Sequence, residues 1–76
     1  RVEELRFIGD TARKPVLSTI SHIPDLEVNI LGATVEEMQE TILCLYLVQL
    51  VGAAPVIERA ESVIDEAGVL REKVNL

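Results

Sequence analysis

The sequence predicts an α+β domain in which strands and helices follow one another as β-α-β-β-α-β. Segments with the alternating or doubly apolar pattern of strands lie at residues 2–9, 25–37, 40–52 and 69–76. Segments with apolar residues at helical spacing lie between them, at residues 15–23 and 55–67. This order is that of the ferredoxin-like split βαβ unit, a four-stranded antiparallel sheet with two helices on one face.

Proline and glycine delimit the two predicted helices. Pro15 suits the first turn of one helix and Pro24 stops it, while Pro55 opens the other and Gly68 closes it. Each helix has one apolar stripe that suits contact with a sheet. The stripes consist of Val16, Leu17, Ile20 and Ile23 in the first helix and Ile57, Ala60, Ile64 and Ala67 in the second. The charged residues predicted to face solvent are Glu58, Arg59, Glu61 and Asp65.

The run at residues 40–52 decides the expected order of strands. Apolar side chains occupy both of its faces, Leu43, Leu45 and Leu47 alternating with Ile42, Cys44, Tyr46 and Val48. Such a run is typical of a central strand covered on both sides, although a buried helix has a similar composition. The turn residues Gly52 and Pro55 that follow favour the strand. The expected sheet order is 4-1-3-2, in which the first and third strands are central.

The second predicted strand, DLEVNILGATVEE at residues 25–37, contains an asparagine, a residue that strands disfavour. Alternation places Val28 and Ile30 on the helix side of the sheet. Asn29 is then expected on the open face, on the same side as Leu31, Ala33 and Val35. An apolar open face with one amide suits a partner protein or a small ligand that has polar and apolar parts. Alternatively, Asn29 only satisfies a neighbouring loop or a water molecule.

Composition and charge exclude several classes of partner. The chain has 76 residues, 49% of them hydrophobic, which predicts one small domain with part of its apolar surface outside the core. A formal net charge of −6 argues against binding to nucleic acid or to an anionic membrane leaflet. No signal peptide is visible, and no apolar stretch reaches the ~20 residues that a membrane helix needs. The single cysteine, Cys44, excludes an internal disulfide and is predicted to be a buried small hydrophobe.

The residue patterns expected of an enzyme are missing. His22 is the only histidine, and no second His or Cys is available to pair with it as nucleophile, base or zinc ligand. Glu36, Glu37 and Glu40 lack the spacing of a calcium loop and are predicted to form a solvated connection between strands. There is no P-loop and no dinucleotide fingerprint. We therefore expect a non-catalytic domain without a cofactor.

Four stretches of the chain resemble the NIL domain family: LRFIGDTARKPVLS, DLEVNILGATVEEMQ, LVQLVG and IERAESVIDEAGV. The family takes its name from an Asn-Ile-Leu triplet, which corresponds here to Asn29, Ile30 and Leu31. The opening pattern F-x-G-x-x-A-x-x-P-x-L-S and the triplet are specific in combination. The resemblance covers nearly the whole chain.

The resemblance implies a ferredoxin-like, ACT-like fold and a regulatory role. NIL domains occur at the C-terminus of the ATPase subunit of bacterial methionine ABC importers, so residues 1–76 are expected to be a single domain excised from a longer ATPase chain. In that family, cytoplasmic L-methionine binds a pair of these domains and inhibits further transport. The implied ligand-binding residues are Asn29 and its motif neighbours Ile30 and Leu31. The implied partners are a second NIL domain, the parent ATPase and its membrane subunits, at the cytoplasmic face of the membrane and without insertion into it.

Alternatives to this function remain open from the sequence. Cys44 stands where the family commonly has glycine, so the site could select a different small amino acid. The doubly apolar third strand would also suit a dimerisation or docking module that binds no ligand. Some NIL domains lie beside iron–sulfur modules, but one cysteine is too few to hold a cluster.

Overall fold

The computed structural model describes residues 1–76 and has the predicted order of elements. The strands are β1 (Val2–Ile8), β2 (Glu27–Met38), β3 (Thr41–Val51) and β4 (Leu70–Lys73), and the helices are α1 (Val16–Ser21) and α2 (Ala54–Glu66). A short 3-10 helix, Gly9–Arg13, joins β1 to α1 and was not expected from the sequence. Both α1 and β4 are shorter than predicted. Neither helix has the length and apolar character needed to cross a membrane.

The four strands form one antiparallel sheet in the order β2-β3-β1-β4. The prediction that the first and third strands are central is confirmed. Residues 40–52 form a strand rather than a buried helix, because β3 pairs with β1 along one side and with β2 along the other. The two remaining strands are the edges of the sheet, and β2 is by far the longer of them.

The core lies between the helices and one face of the sheet. Leu5 and Phe7 of β1 point into it, and both predicted helical stripes contribute to it. The ring of Phe7 packs edge-on against that of Tyr46, with centroids 5.4 Å apart. The buried apolar residues are Leu5, Phe7, Val16, Ile20, Val48, Leu50, Ile57, Ala60, Ile64 and Val69.

A β-bulge interrupts β2 within the Asn-Ile-Leu segment. Ile30 opposes Val48 of β3, whereas the next paired residue, Gly32, opposes Leu47. Leu31 is therefore an extra residue without a partner on β3. A shift of one residue moves every later side chain to the other face of the sheet.

The predicted faces of β2 are correct before the bulge and wrong after it. Val28 and Ile30 oppose buried residues of β3 and so face the helix side, while Asn29 faces the open side, as predicted. The prediction that Ala33 and Val35 lie beside Asn29 is wrong. Both oppose β3 residues that pack against the core, because the bulge has reversed the alternation.

Gly68 follows the C-terminus of α2 in a left-handed conformation, with φ of +81°. Its N–H donates to the carbonyl of Asp65 at 3.0 Å, which helps to close the last turn. Because a side chain is strained at such a φ, Gly68→Ala is expected to lower the free energy of unfolding by about 1 kcal/mol in urea titrations. Gly32→Ala is the matched control, since a Cβ there meets nothing within 4 Å and its φ is not positive. Equal losses in the two variants would contradict this explanation.

Candidate ligand site on strand β2

The amide of Asn29 lies half-buried on the open face of the sheet, between polar side chains. Its Nδ2 group donates to Glu27 Oε2 at 3.0 Å and to Gln49 Oε1 at 3.3 Å. The register explains both contacts, because Gln49 is the residue opposite on β3 and Glu27 lies two positions earlier on the same face. Asn29 Oδ1 accepts no hydrogen bond within the protein, so it remains an acceptor for a ligand.

Ile30 and Leu31 are exposed although they are apolar. Their exposed fractions are 56% and 49%, because β2 is an edge strand and no element packs beyond it. Ile30 faces the helix side and Leu31 is the unpaired residue of the bulge. The structure therefore keeps the three residues adjacent along the edge but does not place their side chains on one face.

None of the cavities in the structure is lined by Asn29, Ile30 or Leu31. The nearest one along β2 starts at Gly32 and has a volume of about 200 Å³, with Glu4, Gly32, Ala33, Thr34, Leu45, Tyr46 and Leu47 around it. Pockets that enclose small molecules are usually larger, about 300–1,000 Å³. In one copy of the chain the triplet is thus an exposed strip rather than an enclosed pocket.

The open face of the sheet is more charged than the sequence suggests. The register assigns to it the half-buried β3 residues Leu45 and Leu47, together with Leu43. Beside these leucines, Arg6 Nε lies 2.8 Å from Glu4 Oε1, and Arg6 Nη2 lies 3.7 Å from Glu72 Oε2. An apolar stripe on β3 is therefore flanked by an ionic triad on β1 and β4.

The structure also locates the histidine, the acidic residues and the cysteine that the sequence singles out. His22 caps the C-terminus of α1, with its Nδ1 2.6 Å from the carbonyl oxygen of Ser18. Glu36 and Glu37 are exposed on β2, and Glu40 is exposed in the turn to β3. Cys44 is half-buried against the core rather than fully buried. No three His, Cys, Asp or Glu side chains are grouped to hold a metal ion.

Comparison with known proteins assigns the chain to a family. The model of the NIL domain matches residues 1–73. The chain belongs to the NIL domain family. It is also 31% identical over 68 residues to the methionine import ATP-binding protein MetN 2 of Acinetobacter baylyi (strain ATCC 33305 / BD413 / ADP1), a match that covers 90% of this chain and 20% of that protein. This NIL domain thus spans about a fifth of the length of that relative.

A solved structure confirms the fold of this NIL domain. The C-terminal domain of an ABC transporter ATP-binding protein from Enterococcus faecalis superposes with a TM-score of 0.78, over 95% of this chain and 80% of that one. The two sequences are 24% identical, so this likeness is evidence for the fold alone. It agrees with the predicted ferredoxin-like α+β fold.

This NIL domain also contains a buried ionic cluster, at the opposite edge of the sheet. Glu3 of β1 is fully buried, and Glu61 of α2 is 7% exposed. Arg1 Nη1 donates to both carboxylate oxygens of Glu61, at 3.0 and 2.9 Å. Arg71 of β4 forms a bidentate pair with Asp65 at 2.8 and 3.0 Å and lies 3.4 Å from Glu61 and 3.5 Å from Glu3. The cluster ties β1, α2 and β4 together.

The prediction that Glu61 faces solvent is wrong. Glu61 follows Ile57 by four positions and precedes Ile64 by three, which places it on the buried stripe of α2. Glu3 likewise alternates with the buried residues Leu5 and Phe7. Periodicity could have found both carboxylates, but charged side chains are seldom fully buried unless they are paired.

The two buried carboxylates have pKa values shifted in opposite directions. Burial, followed by the hydrogen bond and negative charge of Glu61, raises the pKa of Glu3 from its ordinary value of 4.5 to about 7. The hydrogen bond with Glu3, and then that with Arg1, hold the pKa of Glu61 below its ordinary value. Protonated Glu3 can thus donate to ionised Glu61, whereas Glu3 Oε2 has no hydrogen-bond partner without that proton.

Proposed function

We propose that this NIL domain binds L-methionine and regulates a methionine ABC importer as the C-terminal domain of the importer's ATPase subunit. The observation that carries the proposal is the Asn-Ile-Leu triplet on the edge strand of a chain that belongs to the NIL family. The similarity to a methionine import ATP-binding protein supports the choice of ligand. In this proposal ATP hydrolysis takes place elsewhere in the parent chain, and the domain itself performs no chemistry.

The edge of β2 offers the groups that a free amino acid needs. Such a ligand requires polar partners for its charged ends and an apolar surface for its side chain. Asn29 Oδ1 is an acceptor suited to the ammonium group, and the free backbone N–H groups of an edge strand are donors suited to the carboxylate. The exposed side chains of Ile30 and Leu31 supply apolar contact for the thioether chain.

Regulation follows if methionine binds one arrangement of a pair of NIL domains more tightly than another. In the proposed mechanism each ATPase subunit contributes one domain to the pair, on the cytoplasmic side of the transporter's membrane subunits. Methionine then shifts the equilibrium towards the arrangement that does not transport, which gives feedback inhibition by the imported amino acid. The inhibition can be no larger than the ratio of the two affinities.

Calorimetric titration of the chain with L-methionine tests the proposal. We expect saturable binding that leucine, cysteine and D-methionine do not reproduce. In Asn29→Ala the affinity is expected to fall at least tenfold, because a hydrogen bond to a charged group contributes about 1.5–3 kcal/mol. Asn75→Ala is the matched control, since Asn75 is exposed and lies outside every strand and helix. Unchanged affinity in Asn29→Ala would show that the site lies elsewhere.

A dimerisation or docking module without a ligand is the second candidate. The absence of an enclosed pocket at the triplet and the exposed apolar residues of β2 favour it. A dimer in sedimentation experiments that gives no heat with any amino acid would support this alternative. Binding of cysteine or another small amino acid in place of methionine would instead point to the altered selectivity expected from Cys44.

A further inference from the structure

We propose that Glu27 and Gln49 hold the Asn29 amide with its oxygen outward, so that the site selects a ligand with a positively charged nitrogen. The inference rests on the proposed function, and it names the part of the amino acid that binds beside Asn29. Gln49 is a positioning residue that acts through Asn29, whereas Glu27 both positions Asn29 and contributes a negative charge.

The Asn29 side chain has two possible orientations, because an amide can present either its oxygen or its nitrogen to a ligand. Asn29 Nδ2 lies 3.0 Å from Glu27 Oε2, and an ionised carboxylate accepts hydrogen bonds but cannot donate them. If the amide were turned over, Asn29 Oδ1 would face that carboxylate, and two acceptors would repel each other. The carboxylate of Glu27 therefore favours the orientation with Oδ1 outward.

Gln49 supports the same orientation from the neighbouring strand. Its Oε1 accepts a hydrogen bond from Asn29 Nδ2 at 3.3 Å. The register fixes this pair, since Gln49 lies directly opposite Asn29 on β3, and both side chains are half-buried. The amide nitrogen has two N–H donors, which matches its two acceptors in the protein. Only Oδ1, an acceptor, is left for the ligand.

The charges of the open face favour the same ligand group. Arg6 is the only basic residue among the strand residues on this face, and it pairs with Glu4 and Glu72. Glu27 forms no ion pair, so its negative charge beside the Asn29 amide is uncompensated. An ammonium group that donates to Asn29 Oδ1 is attracted by this charge, whereas a carboxylate in the same place is repelled.

The α-keto acid of methionine tests the choice of ligand group. It keeps the thioether and the carboxylate but has an oxygen acceptor in place of the ammonium group, so it offers no donor to Asn29 Oδ1. In calorimetric titrations we expect it to bind the wild-type chain roughly tenfold or more weakly than L-methionine, because hydrogen bonds to charged groups are the stronger ones. Comparable affinities for the two ligands would overturn the inference.

Glu27→Gln is expected to move the two affinities in opposite directions. A glutamine side chain can donate to Asn29 Oδ1, so the Asn29 amide can turn over and present its N–H groups to the keto oxygen. Affinity for L-methionine should fall and affinity for the keto acid should rise, which together reduce the preference by roughly tenfold. A purely structural defect would weaken the binding of both ligands and overturn the inference.

Glu36→Gln is the matched control for this variant. It removes the same charge from the same strand and the same face, and Glu36 makes no hydrogen bond to Asn29. Both affinities are expected to stay at their wild-type values. An equal change of preference in Glu36→Gln and Glu27→Gln would mean that net charge, rather than the orientation of the amide, sets the selectivity.

Two replacements of Gln49 separate its hydrogen bond from its bulk. Gln49→Leu removes the acceptor, and the affinity for L-methionine is expected to fall on the order of threefold. Gln49→Glu keeps an acceptor at the same position and is expected to retain the wild-type preference for L-methionine. A loss in Gln49→Glu equal to that in Gln49→Leu would overturn the positioning role.

NMR of the isotope-labelled chain tests the orientation without any ligand. The side-chain amide protons of Asn29 are identified by their absence in Asn29→Ala, and they are expected to exchange with solvent more slowly than those of exposed Asn75. Gln49→Leu should speed their exchange. Exchange as fast as that of Asn75 in the wild type would overturn the inference but not the proposed function. Slow exchange in a chain that binds no amino acid would overturn the proposed function and the selectivity with it.

Discussion

Glu3→Gln is expected to remove most of the change in folding stability between about pH 5 and pH 8. In the wild type, the raised pKa of Glu3, about 7 against an ordinary 4.5, means that the folded state keeps a proton that the unfolded chain has lost. The free energy of unfolding therefore falls as pH rises from about 4.5 to 7, by an amount on the order of 1–3 kcal/mol. Glutamine carries no charge, and its amide can donate to Glu61 as the protonated carboxyl does.

At acid pH, the free energy of unfolding is expected to change with pH in the opposite direction. Because the pKa of Glu61 lies below its ordinary value of 4.5, its stabilising contribution is present above that pH and is lost as the pH falls below it. The wild-type domain is thus expected to be most stable near pH 5. In Glu3→Gln, much of the fall in the free energy of unfolding at acid pH should remain, since Arg1 and Arg71 still pair with Glu61. The fall in the free energy of unfolding towards neutral pH should disappear.

Urea unfolding at several pH values measures this profile. Glu4→Gln is the matched control, because Glu4 adjoins Glu3 in sequence but lies on the open face and pairs with Arg6. It should retain the wild-type slope above pH 5. If Glu3→Gln retains that slope as well, another group is responsible for it, and an NMR titration of the Glu3 carboxyl would then show a pKa near its ordinary value.

The order of elements could be predicted because each element carries its own periodicity. Leu5 and Phe7 alternate along β1, and Ile57, Ala60 and Ile64 recur at helical spacing along α2. These patterns are local, and the burial of the same residues shows that they reflect one core. The central position of β3 followed from its apolar residues on both faces, which is a property of the strand alone.

The features that could not be predicted depend on contacts between distant parts of the chain. The bulge at Leu31 is a mismatch of register between β2 and β3, and alternation within β2 carries no sign of it. The surroundings of buried Glu3 include Arg71, which is 68 residues away in the sequence and lies 3.5 Å from it. Glu61 was expected to face solvent because it is charged, although its position on the apolar stripe of α2 indicated the core.

The candidate site likewise has one feature that could be predicted from local sequence and one that could not. The position of Asn29 on the open face followed from alternation along a few residues, and the structure confirms it. Whether Asn29, Ile30 and Leu31 line an enclosed pocket depends on what lies beyond the edge of β2. In a single chain the outer edge of β2 is unpaired, so no second element covers the triplet. Neither the sequence pattern nor the fold of one chain therefore encloses a pocket there.

Leu5→Ala is expected to lower the free energy of unfolding far more than truncation of an exposed leucine. Leu5 is fully buried on a central strand, and large-to-small changes in cores cost about 2–5 kcal/mol, compared with roughly 5–15 kcal/mol for a whole domain. Leu70→Ala removes the same atoms from a neighbouring strand at a 56% exposed position, so we expect a loss of about 1 kcal/mol or less. Urea unfolding at constant pH compares the two. Similar losses would mean that the face carrying Leu5 is not the principal core, or that the open face carrying Leu70 is buried in an assembly.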